Sequence, residues 1–80
     1  MGLQDLPIDS GQAHRKVFES FGWTSRRSEK NHFVLTHPSH PGVFISIPDH
    51  RRIDRNLLRT EIRKAGLTVE QYCTQYEAIS

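Results

Sequence analysis

The side chains able to move a proton or hold an anion gather around one stretch of this chain, Lys30-Asn31-His32-Phe33-Val34-Leu35-Thr36-His37-Pro38. Both protonation states of imidazole are accessible near neutrality, so His32 suits general acid or base work. Arg26 and Arg27 precede it, Lys30 adjoins it and Arg51 follows later; each can hold negative charge, and electrostatic stabilisation is usually the larger contribution. Asn31 adds an amide able to donate and accept hydrogen bonds. Spacing argues against a metal. His32 and His37 lie five residues apart, which turns them to opposite faces of a strand, and His37 with His40 in a turn supplies only two ligands. We therefore expect no metal and no cofactor. His14, on a helical stretch, reads as a solvated surface residue; Cys73 and the tyrosines beside it read as core.

What must position His32 is a strand. Alternation commits Phe33 and Leu35 to one face and His32, Val34 and Thr36 to the other. Upstream, residues 1–9 read as a loose lead-in to a single domain over 10–80. Ser10 caps a first helix with Ala13, Val17, Phe18 and Phe21 on one face, and Gly22 stops it. Trp23 to Ser28 reads as a short first strand, and His32 to His37 as the second. Pro38 and Pro41 flank Ser39 and His40 in a reversal, since two such prolines cannot sit inside a ladder. The third strand is expected over Val43 to Ile47, with Val43, Ile45 and Ile47 inward and Pro48 closing it. Asp54 caps a second helix with Leu58, Ile62 and Ala65 inward, ended by Gly66. Thr68 and Gln71 have capping-box spacing for a third helix running to about Tyr76. The fold class is thus α+β, in the order α-β-β-β-α-α, with a three-stranded antiparallel sheet, helices on the Phe33 and Leu35 face, and the His32 face open.

Composition narrows the function classes. The 80 residues make one small domain of formal charge +2. The charge is uneven: positions 23–64 hold nine basic and four acidic residues, the remainder two basic and five acidic. A basic centre suits a polyanion. Arg55, Arg59 and Arg63 recur at helical spacing as a ridge that is either a solvated face, a phosphate-tracking one or a protein contact. One cysteine excludes an internal disulfide and a cysteine-built zinc site, which suits a reducing cytoplasmic setting. Neither an apolar run of membrane-spanning length nor a signal-peptide pattern is present.

Several pieces then fall into a known order. A helix ending Phe21-Gly22-Trp23 precedes a strand with Arg26 and Arg27. Lys30-Asn31-His32 leads to His37-Pro38, Ile47-Pro48-Asp49-His50 follows, and Leu58-Arg59-Thr60-Glu61-Ile62-Arg63-Lys64-Ala65-Gly66-Leu67-Thr68 comes last. Together, over about Ala13 to Tyr72, they resemble the HicA, or YcfA-like, family of bacterial toxins. The resemblance implies a fold like that of double-stranded-RNA-binding domains and a metal-independent endoribonuclease that cleaves mRNA and is neutralised by a HicB-type antitoxin. It places His32 at the family's catalytic histidine, with Lys30 and Asn31 where Gly and Ser are usual. RNA supplies its own nucleophile in the 2'-hydroxyl, so His32 would transfer the proton while Arg26, Arg27, Lys30, Asn31, His50 and Arg51 bind the RNA; His50 could instead only hold its loop. Two other readings stay open: an RNA-binding module that no longer cuts, and a protein-interaction domain of the same fold.

Overall fold

The computed structural model describes residues 5–27 and 31–80. Lys30 and Ser28 therefore lie outside the described residues. The elements run α1 (Gly11–Ser20), β1 (Thr24–Arg27), β2 (His32–Thr36), β3 (Ile45–Pro48), α2 (Arg55–Lys64) and α3 (Val69–Ile79). The expected α-β-β-β-α-α order and α+β class are found.

Each helix starts where its cap dictates. The Ser10 hydroxyl accepts from the Ala13 amide at 3.1 Å, and the Asp54 carboxylate from the Leu57 amide at 3.1 Å. Thr68 and Gln71 form a reciprocal capping box, satisfying donors that a helix start leaves orphaned. Helices α1 and α2 end alike. Gly22 and Gly66 take φ of 98° and 77°, and the following amides, Trp23 and Leu67, reach back to the Phe18 and Ile62 carbonyls. This closure needs a left-handed residue, which glycine supplies without steric cost.

The sheet is an antiparallel meander in the order β1-β2-β3. Val34 lies opposite Arg26 on one side and Ser46 on the other, while Leu35 lies opposite Ser25 and Ile45. Alternation then works as expected: Leu35, Ile45 and Ile47 are fully buried with Phe18, Leu58, Ile62 and Tyr72.

Four expectations need correction. First, the lead-in is not loose over residues 5–9: Leu6 is fully buried in the core, Arg55 Nε donates to the Leu6 carbonyl at 2.7 Å, and the Tyr76 hydroxyl donates to Asp9 at 2.6 Å. Second, β3 starts at Ile45, because the Val43 amide is spent on the His40 carbonyl at 3.2 Å, closing the turn instead of joining the ladder. Third, α3 runs on to Ile79. Fourth, His14 is fully buried, with Nδ1 and the Tyr72 hydroxyl 2.7 Å apart. Position 14 lies three and four residues before Val17 and Phe18, which puts it on the same helix face, turned toward α3.

Burial holds His14 below the ordinary 6.5, opposed in part by the nearby Asp9 carboxylate. Asp9 in turn is held below its usual value, by the Tyr76 hydroxyl first and then the Ser10 amide.

Candidate active site

His32 opens β2, the central strand, and is exposed. The strand is paired on both sides from Phe33 onward, which fixes the backbone that leads into His32. The residue before it, Asn31, has φ of 57° and is the one non-glycine residue with positive φ among those described. Asparagine tolerates this left-handed conformation better than most residues. The Asn31 carbonyl accepts from the Asp49 amide at 2.6 Å, and His32 lies opposite Pro48 in the register. The start of β2 is thus joined to the turn that carries Asp49, His50 and Arg51, all three exposed. That turn is held from its other side by the Gly11 amide, which donates to the His50 carbonyl at 2.8 Å.

The structure brings some of the expected site residues together. Arg26 is exposed and lies opposite Val34, which shares the parity of His32, so a cation and the histidine occupy one face of the sheet. Asn31, His50 and Arg51 lie at the same end of the sheet through the Asn31 to Asp49 bond. Arg27 lies opposite Phe33, at the other parity from Arg26. Lys30 lies outside the described residues. Asn31 serves first as a backbone element, its conformation launching the strand.

The other histidines divide clearly. His37 accepts from the Ser39 amide through Nδ1 at 3.0 Å, so its Nε2 carries the proton and donates to the Phe21 carbonyl at 3.2 Å. His40 stacks on Trp23, with ring centroids 5.3 Å apart. Both belong to the turn beyond the far end of β2, away from His32. One cation was missed by the sequence reading: Arg15 lies over the Phe33 ring, 5.0 Å from its centroid, while paired with Glu19 at 3.5 Å. Nothing in the local spacing of α1 marks this contact, which depends on how α1 crosses the sheet. The arginine ridge is partly structural, since Arg55 holds Leu6 and Arg59 bonds Asn56 at 3.3 Å.

A family model described as the HicA toxin of bacterial toxin-antitoxin systems matches residues 12–67. This span takes in α1 from Gln12 onward, the whole sheet, α2 and the His32 end of the site. The chain belongs to the HicA toxin family. It is accordingly a toxin of a toxin-antitoxin system, and a HicA toxin has an antitoxin as its partner. No curated protein matches the chain. Among the described residues, no helix is long and apolar enough to cross a membrane.

Proposed function

We propose that this HicA-family chain is a metal-independent endoribonuclease that cleaves mRNA in the cytoplasm, with His32 as general acid or base, and that a HicB-type antitoxin neutralises it. The observation that carries this reading is the exposed His32 at the start of the central strand, on the same sheet face as Arg26. In such a reaction a base takes the proton of the ribose 2'-hydroxyl, the oxygen attacks the adjacent phosphorus, and the bond to the 5'-oxygen breaks. Imidazole suits the proton transfer, and cations steady the charge that builds on the phosphoryl oxygens. Arg26, Arg27, Lys30, Asn31 and Arg51 are assigned to RNA binding, with His50 carried on the same turn as Arg51.

A module that binds RNA without cutting is the second reading, motivated by Lys30 and Asn31 standing where Gly and Ser are usual. The left-handed φ of Asn31 weighs against it, because asparagine adopts that backbone and β2 still begins at His32. Expression in bacteria tests the choice. The wild-type chain should arrest growth with loss of intact message, and His32→Ala should do neither. Arrest of equal strength by both would remove the assigned mechanism, and salt-sensitive RNA binding with intact message would favour the module.

A further inference from the structure

We infer that His50, on the turn that follows the strand opposite His32 and that Gly11 and Asn31 tether, is the second proton-transfer group of this site; this rests on the ribonuclease reading above. The attacking and leaving oxygens of a phosphoryl transfer lie roughly in line on opposite sides of phosphorus. One imidazole cannot contact both at once, so cleavage without a metal calls for a second group. A base removes the 2'-hydroxyl proton as the bond from O2' to phosphorus forms. The bond from phosphorus to O5' breaks, and an acid gives O5' a proton. The products are a 2',3'-cyclic phosphate and a 5'-hydroxyl, and no oxidant or co-reactant is consumed.

The fold narrows the candidates. His32 lies opposite Pro48 and Asn31 bonds Asp49, so the turn across from His32 offers Asp49, His50 and Arg51. Arginine cannot be deprotonated in a protein, and a carboxylate side chain suits the base role better than the acid one. Histidine can take either part.

That turn is tethered at two successive residues: the Asp49 amide to Asn31 at 2.6 Å and the His50 carbonyl to the Gly11 amide at 2.8 Å. Gly11 is packed so closely that a Cβ there would lie 2.0 Å from the Pro48 oxygen and 3.2 Å from the Asp49 Cα. Any other residue would push α1 and the turn apart. The result is a fixed backbone beneath an exposed imidazole. The charged and titratable groups on the elements meeting at this turn are Asp49, Arg51 and Arg52 on the turn itself, His32 on β2, Asp9 ahead of α1, and His14, Arg15, Lys16 and Glu19 along α1.

The test measures cleavage of a short RNA by purified full-length protein in a chelator, as kcat and KM across pH. Wild type should give a bell-shaped profile. His50→Ala should lower kcat about 10²-fold or more, a usual effect of losing acid-base catalysis, with KM little changed, one limb of the bell lost and part of the rate restored by added imidazole. Gly11→Ala, checked for folding by circular dichroism, should lower kcat without imidazole rescue. Wild-type kcat with both limbs intact in His50→Ala, or a loss confined to KM, would overturn the inference while leaving His32 in place. A wild-type chain that cleaves nothing would overturn the ribonuclease reading and this inference with it.

Discussion

The amide of Asp49 donates to the carbonyl of Asn31 across 2.6 Å, tying the turn that carries His50 to the residue that launches His32. The bond pairs the residue before β2 with the residue after β3, where the sheet gives way to loop. It depends on Asn31 holding φ of 57°. Replacing Asn31 by glycine should therefore leave the fold intact. Asn31→Val should cost about 1–2 kcal/mol, the penalty of forcing a bulky L-residue into the left-handed region, and should lower RNA cleavage further than stability alone explains. Urea midpoints alongside cleavage rates of both variants check this.

Leu6 gives a sharper test of the N-terminal segment. It is fully buried among core side chains, so Leu6→Ala should destabilise the domain by about 2–5 kcal/mol. A midpoint indistinguishable from wild type would show that the segment contributes nothing.

Much of the fold was legible because local signals agreed with one another. Ser10, Asp54 and Thr68 cap the helices they were expected to cap, and the alternation from His32 to Thr36 is realised as a central strand. What the sequence hid were contacts between distant segments. Leu6 lies next to a proline in a stretch without periodicity, and the bonds that hold its segment come from α2 and α3, where Arg55 donates to the Leu6 carbonyl and Cys73 to the Asp5 carbonyl. His14 was legible in principle, since its spacing to Val17 and Phe18 marks the inner face; its polarity argued the other way until Tyr72 supplied a partner. At the site, alternation placed His32 on its face, but the hold of Gly11 on the His50 turn arises only from tertiary packing.

Acid should loosen the domain through His14. Its folded pKa is depressed by burial, so the unfolded chain binds the proton more readily. Stability is then full above about 6.5, the ordinary value, and falls with pH from there toward the depressed folded value. Asp9, also depressed from 3.8, adds a second loss at lower pH as its hydrogen-bonded carboxylate is protonated. Denaturation midpoints measured from pH 7.5 to 3 should show both stages, and His14→Gln should flatten the upper one. An unchanged upper stage in that variant would assign it to another group.

Glu61 closes the outer edge of the sheet. It is buried, accepts from the Ser46 amide of β3 at 2.8 Å and pairs with Lys64 at 2.9 Å. The next outward position on β3, Pro48, has no amide to offer, so this edge presents little to a passing strand. Glu61→Ala should cost about 1–3 kcal/mol by leaving that amide unsatisfied and should increase self-association in sedimentation. Glu61→Gln, which keeps an acceptor, should do less of both.

The central claim is that His32 moves the proton in RNA cleavage, and its most direct test is an in vitro assay of an RNA oligonucleotide with chelator present. Wild-type protein should cleave it, and His32→Ala, folded to the same extent by circular dichroism, should cleave about 10²-fold more slowly or worse. Cleavage by His32→Ala at the wild-type rate would contradict the account.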